Sequence, residues 1–302
     1  MHKIVVAGAS GFLGTVLTDY FRNKCNIVLL SRSRLPSKVN VLWKYWDGET
    51  LGDWKNELED ADVLINLAGK SVNCRYTKEN KQLIYNSRLN STNILGEAIL
   101  SCKQPPKLWI NSSSTTIYEA SHLSFRTEDS KEIGNNFSMD VCKQWEASFN
   151  KFTLPSTRKI IIRTSIVLGK SGGALNPLIK LVKLRLGGKQ GDGEQYFSWV
   201  HEWDFCRAIE FLINNPSLKG TYNIAAPIPV INNVFMHTLR KSMKISVGLG
   251  APKWLLEVGA VFIGTETELI LKSRKVFPKR LLEAGFVFEF KDVKAALENL
   301  CR

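Results

Sequence analysis

Short apolar runs without polar alternation recur along the chain. Residues 3–7 read KIVVA and residues 27–30 read IVLL; comparable runs occupy 41–45, 61–66, 107–112, 158–162 and 221–224. Runs of this length, rich in β-branched residues, predict strands buried on both faces. Between them the apolar spacing becomes helical. It predicts helices over 15–22, 77–100, 137–146, 177–186, 233–243, 252–263 and 278–286, with the second expected to break near 86–90. A small strand is expected at 286–290. Strands alternating with helices predict the α/β class, a doubly wound parallel sheet.

The turn after the first strand carries the chemistry. Gly8, Ser10, Gly11, Phe12, Leu13 and Gly14 lie between a strand and a helix, with glycines spaced G-x-x-G-x-x-G. Glycines there allow a tight turn and let the backbone approach a pyrophosphate at a helix N-terminus. The bland alternative is a plain strand–helix corner. The second strand ends in Ser31 and Arg32. An NAD-binding fold carries a carboxylate about 20 residues past the glycines, to hold the adenosine ribose. This chain has Arg32 instead, and an arginine suits a 2′-phosphate, which predicts NADP over NAD. A solvated basic turn is the alternative. The fourth strand ends in Asn66, Leu67, Ala68 and Gly69, small residues that let backbone pass close to a nucleotide. A serine cluster, Ser112 to Ser114, ends the fifth strand where ligands bind in such sheets. Ser113 and Ser114 are therefore candidates to hold a substrate oxygen, with helix capping as the alternative.

These elements resemble the extended short-chain dehydrogenase/reductases, the group that includes sugar-nucleotide epimerases. The spaced glycines, the N-x-A-G strand end, the serine cluster running to Tyr118, Arg163 to Gly169, and Phe197 to Asp204 each have a counterpart there. A subgroup named as epimerase-family proteins or NADP-dependent oxidoreductases is closer still. Its matching features are NLAG, the S-R-L-x-S-T segment containing Arg88, Trp145-Glu146, GGAL at 172–175, FSWVH at 197–201 and PKRLLEAGF at 278–286. The resemblance spans essentially the whole chain. It implies an NADP-binding Rossmann domain over 1–168, completed by a strand near 220–224, and a smaller C-terminal substrate lobe, mainly 169–302. It places Arg163 by the cofactor; an ion pair is the alternative. Arg88 faces either the cofactor or solvent.

One expected feature is missing. The superfamily's Tyr-x-x-x-Lys pair shares one helix face and moves a proton as hydride transfers. Aligned through Glu146, the pair falls on Ser138 and Cys142; shifted by one, on Met139 and Lys143. Neither register offers a tyrosine. Tyr118, Ser113, Ser114, Lys143 and His201 remain as candidate proton donors or substrate contacts. The expected activity is oxidoreduction of an unidentified small molecule with NADP. A non-catalytic NADP(H)-binding protein and a nucleotide-sugar epimerase are the alternatives.

Composition narrows the partners. Net charge is +13 over 302 residues, but no run of five or six basic residues occurs, which argues against a nucleic-acid arm. The charge concentrates at Lys180, Lys183, Arg185 and Lys189, and again over 272–280. The basic, apolar-rich segment at 177–186 suggests a membrane surface, but a packed substrate-lobe helix is the preferred reading. Six scattered cysteines without C-x-x-C spacing predict reduced thiols, and four dispersed histidines give no metal site. No run of about 18 uncharged apolar residues occurs, so no membrane span is expected. No leader pattern opens the chain, and a cytoplasmic protein, open to forming a homodimer, is expected.

Overall fold

The computed structural model describes residues 3–36, 39–262, 266 and 271–302. Seven parallel strands form its main sheet. In chain order they are β1 (Lys3–Ala7), β2 (Asn26–Ser31), β3 (Val41–Tyr45), β4 (Val63–Asn66), β5 (Leu108–Ser114), β6 (Arg158–Thr164) and a strand near the end of the sheet's sequence, Gly220–Ile224. Across the sheet the order is Gly220–Ile224, β6, β5, β4, β1, β2, β3. The chain leaves β1 toward β2 and β3, then returns to β4 on the other side. That reversal opens a crevice beyond the carboxyl ends of β1 and β4, where such sheets bind ligands.

Helices cover both faces, which is why the strands lack polar alternation. Ile4 and Val6 point to one face, against Leu17 and Phe21 of α1 (Phe12–Phe21) and residues 205–212. Val5 and Ala7 point to the other, among Ile94, Leu95, Trp109 and Phe149. These come partly from α2 (Lys78–Ser101) and α3 (Phe137–Asn150). A separate apolar cluster, built on Leu175, Leu178, Val182, Trp199, Phe235 and Leu297, organises the C-terminal residues. It packs α4 (Leu175–Lys183) inward, as the preferred reading of that basic segment required.

Two expectations are corrected. The predicted break at 86–90 does not occur: α2 runs unbroken over Lys78–Ser101. Its polar centre bonds back along its own axis, with Ser87 Oγ donating to Ile84 O (3.2 Å) and Ser91 Oγ to Arg88 O (3.0 Å). Residues 286–290 form no strand. Phe286 and Phe288 enter the core without one. The Glu289 and Phe290 N–H groups donate to the buried Asp204 carboxylate at 2.9 and 2.8 Å. The glycine-rich loop at 187–193 is clamped by backbone bonds, Gly188 N to Leu249 O and Gly191 N to Ala251 O, both 2.9 Å.

Candidate nucleotide and active site

Gly8 begins the turn with φ +77°, the left-handed region that suits glycine. Its N–H donates to Leu30 O at 3.0 Å, tying the turn to β2. Gly14 serves close approach: a Cβ there would lie 2.4 Å from Ala9 O. Gly11 caps α1 in extended conformation with no side-chain hydrogen bond, and no acid occupies the first turn. The leading N–H groups of a helix lack intrahelical partners. At Phe12, Leu13 and Gly14 they face the crevice end of the sheet with the positive end of the helix dipole. A Cβ on Gly11 would meet only Gly8 O, at 3.6 Å, so the space before the turn is open; Ser10 and Gly11 are exposed. The cradle fits a pyrophosphate. Gly169, Gly172 and Gly173 wrap the Phe12 ring so closely that a Cβ on any of them would come within 3 Å of it. The G-G-A-L segment thus fixes the turn from outside.

Ser31 is buried, and its hydroxyl is already used: it donates to Ser33 O (2.6 Å) and accepts from Trp43 Nε1 (3.0 Å). It shapes the turn, while Arg32 beside it is exposed. At the end of β4, Asn66 is fully buried. Its Oδ1 accepts from Ala68 N (3.0 Å), and its Nδ2 donates to Asn111 Oδ1 (2.8 Å). Leu67 N donates to Ala7 O at 2.9 Å, so Leu67 and Ala68 lie against the glycine turn. Gly69 is exposed above Arg88; a Cβ there would sit 3.0 Å from the guanidinium carbon.

Arg88 is half-buried and lies 5.1 Å from the Trp145 ring centre. Its Nη1 donates to Lys70 O and Ile84 O at 3.0 and 3.1 Å. Burial lowers its pKa, and the groups that act the other way are Cys142, Tyr76 and Cys74, none of them a carboxylate. It is a cation at the crevice without an acidic counter-ion among these neighbours.

Arg163 is held elsewhere. Its Nε and Nη2 donate to the two Glu146 oxygens at 2.9 and 2.8 Å, and its Nη1 donates to Tyr118 Oη at 2.9 Å. Burial works against its charge, but Glu146 overcomes this and raises its pKa above the ordinary value. Ser113 Oγ donates to the same carboxylate at 2.6 Å, and Tyr118 Oη donates to Asn223 Oδ1 at 2.8 Å. All of these groups are buried. Ser113, Tyr118 and Arg163 therefore form one internal network behind the strand ends. The sequence read Ser113 as a substrate contact, Tyr118 as a proton-transfer candidate and Arg163 as a cofactor contact or an ion pair; in the structure their polar atoms are engaged with one another, and Arg163 forms an ion pair with Glu146. Ser114 differs. It is half-buried, bonded only locally to Thr116, and it lies in register with Thr164, whose buried hydroxyl has no partner.

On α3, Ser138 and Cys142 are buried at the positions the proton-moving pair would take. Burial pushes the Cys142 thiol up to about 12, so it is neutral and supplies no charge. Lys143 instead reaches outward to Asn135 Oδ1 (3.0 Å) and Asp140 (3.6 Å). A phenol does arrive from another segment: Tyr76 Oη lies 3.5 Å from Ser138 Oγ. His201 is a packed residue. It stacks on Phe290 at 3.9 Å, accepts from Trp203 N at Nδ1 (3.0 Å), and meets Asn299 Oδ1 at Nε2 (3.2 Å). Burial lowers its pKa, keeping it neutral. Among the described residues no group of three or more His, Cys, Asp or Glu could hold a metal ion, and no helix is long and apolar enough to cross a membrane.

A family model described as the NAD dependent epimerase/dehydratase family matches residues 4–225. The chain belongs to this family. A second model, described only as a domain of unknown function, matches residues 251–300 of this epimerase-family chain. An epimerase family protein of Staphylococcus aureus is 32% identical over 305 residues, covering 100% of both chains. The solved human epimerase family protein with NADPH superposes with a TM-score of 0.87 at 28% identity, over 99% of each chain. A nucleoside-diphosphate sugar epimerase from Corynebacterium glutamicum gives 0.78 at 26% identity, over 99% of this chain and 58% of that one.

Three residues of this epimerase-family chain take parts near the crevice that the sequence did not assign to them. Asn66 and Asn111 lie inside apolar strand runs, and only their pairing across β4 and β5 shows that they brace the strand ends. Tyr76 carries no motif; it enters the site through the fold of 70–77, where its N–H donates to Glu266 Oε1 at 2.8 Å.

Proposed function

We propose that the chain binds NADP(H) at the turn from Gly8 to Gly14 and reduces or oxidises a small molecule held beyond Ser114. The observation that carries this reading is the uncapped, acid-free N-terminus of α1 facing open space behind Gly11, beside an exposed Arg32. The NADPH in the human relative supports it. Leu67, Ala68 and Gly69 would line the adenosine side, and Arg88 would offer its charge to the cofactor or to an anionic substrate. We take 1–168 with the strand at Gly220–Ile224 as the nucleotide lobe and the remainder of 169–302 as the substrate lobe. Bound NADPH would supply a hydride to an acceptor carbon; the oxygen then needs a proton. Tyr76, beside Ser138 and within the influence of Arg88, is the phenol in position to give it.

Calorimetric titration tests the nucleotide. Arg32→Ala should weaken NADPH by roughly tenfold or more and leave NADH unchanged, the loss of a charge-assisted contact of about 1.5–3 kcal/mol. Equal affinities of the unaltered protein for both nucleotides would remove Arg32 from this role.

The second reading, a non-catalytic NADP(H)-binding protein, is favoured by one observation: no tyrosine stands on α3 in either register of the pair. Turnover of NADPH with a panel of aldehydes and ketones separates the two. Tyr76→Phe should slow that turnover about 100-fold, the scale of a lost general acid, while nucleotide affinity stays unchanged. Tight NADPH binding with no consumption by any compound would favour the non-catalytic reading. Epimerisation of a nucleotide sugar needs the same proton relay and is tested by the same variant.

A further inference from the structure

The strongest surface feature lies away from the nucleotide crevice, where α4 ends. The chain continues through 184–191, which is bonded to 247–251: Leu249 N donates to Arg185 O (2.8 Å) and Ala251 N to Lys189 O (2.9 Å). A helix at Lys253–Phe262 follows directly. Large apolar side chains stand exposed on this joined surface. Leu184 is 69% exposed, Leu249 64% and Trp254 65%, with Leu186, Leu255 and Val258 also exposed. Side chains of this size gain by leaving water, so several left exposed on one joined surface mark a contact site.

Charge selects the occupant. Residues 180–189 hold four cations and no carboxylate; residues 244–258 add Lys244 and Lys253 against Glu257 alone, which lies 3.8 Å from Lys253. Lys180, Lys183, Arg185, Lys189, Lys244 and Lys253 are all exposed on the same two segments as the apolar side chains. Exposed leucines and a tryptophan interspersed with cations along two bonded segments match the boundary of an anionic bilayer, where the apolar groups enter the acyl region and the cations meet headgroup phosphates. Neither signal alone gives firm attachment, but the two together do. No helix among the described residues is long and apolar enough to cross, so the contact is lateral.

We propose that the surface formed by 180–191 and 244–258 docks this protein onto an anionic membrane. The inference does not depend on the nucleotide reading. Co-sedimentation of the full chain with vesicles of phosphatidylcholine, with and without phosphatidylglycerol, tests it. The protein should pellet with the anionic vesicles at low salt, release at high salt, and stay in solution with neutral ones. Lys183→Glu with Arg185→Glu should weaken partitioning by about tenfold or more, since each cation near such a surface contributes about 1 kcal/mol. Leu184→Ser with Trp254→Ser should weaken it similarly, with circular dichroism unchanged. Equal binding to neutral vesicles, or none to anionic ones, overturns the proposal. So does a dimer in light scattering that Leu184→Ser disperses, which would make a second copy the occupant. Binding that a single-stranded polynucleotide fully displaces, and that Leu184 and Trp254 do not influence, would also overturn it.

Discussion

Glu146→Ala is expected to cost about 3–5 kcal/mol of folding stability, the usual penalty for removing one partner of a buried ion pair. Glu146 receives three donors: Arg163 Nε, Arg163 Nη2 and Ser113 Oγ. Both charged residues are buried. Alanine would leave the guanidinium in apolar surroundings with two of its nitrogens unpaired. Arginine cannot escape by losing its proton, so the full penalty falls on the fold. Glu146→Gln keeps the shape and one acceptor and should lose less. Replacing both partners together, Arg163→Met with Glu146→Leu, should recover much of the loss, because the pair's own attraction is largely offset by its desolvation. Urea unfolding with matched slopes reads these differences. A loss below about 1 kcal/mol for Glu146→Ala would mean that water reaches the pair and that the network does not brace the strand ends. The same variants address position. If Arg163 acts only through β5 and β6, those that fold should bind NADPH with unchanged affinity.

The network also marks where sequence reading stops. Strand positions were legible because burial on both faces erases polar alternation, and residues 3–7 and 27–30 carried that signal locally, whereas 41–45, at the sheet edge, is buried only in part. The glycine turn was legible for a similar reason: backbone geometry is written into residue type, since Gly8 takes a positive φ and Gly14 lies against nearby Ala9, although the Leu67 and Ala68 backbone that also hems in Gly8 comes from a distant strand end. The family motifs were legible as strings, but their strings do not say which polar atoms are already satisfied. Arg163 and Tyr118 are 45 residues apart, and Tyr118 and Asn223 are 105 apart, so their pairing exists only after the sheet closes. The sequence therefore pointed to Ser113, Tyr118 and Arg163 at the ligand end, but not to the hydrogen bonds that join them through Glu146 and Asn223. Helix α2 failed for the converse reason. Its polar centre suggested a break, yet Ser87, Arg88 and Ser91 bond to preceding carbonyls and keep it continuous. Arg88 gained its significance from that continuity. The unbroken helix carries it under Gly69 and onto Trp145.

Gly8→Ala and Gly11→Ala should separate the two duties of the opening turn. At Gly8 the backbone has φ +77°, and a Cβ would lie 2.7 Å from both Cα and N of Ala68 and 2.9 Å from the Leu67 carbonyl carbon. These are backbone atoms at the end of β4 and cannot rotate away. Left-handed backbone for a residue with a Cβ costs about 1–2 kcal/mol, and overpacking adds about 1–3 kcal/mol. Gly8→Ala should therefore destabilise the fold by about 2–5 kcal/mol. It should also weaken NADPH by about tenfold or more, since pushing Leu67 and Ala68 aside opens the adenosine side of the crevice. Gly11 is the opposite case. Its φ is −80°, and an added Cβ would meet only Gly8 O at 3.6 Å. Gly11→Ala should leave the unfolding midpoint within about 0.5 kcal/mol of the parent, the range of unstrained substitutions. Its methyl group would nevertheless project into the space where the pyrophosphate must approach the α1 amides, so NADPH affinity should fall by about tenfold or more. Loss of affinity without loss of stability is the signature of a backbone kept bare for a ligand. If Gly11→Ala binds NADPH as the parent does, the phosphates lie elsewhere and the turn is only a corner between strand and helix.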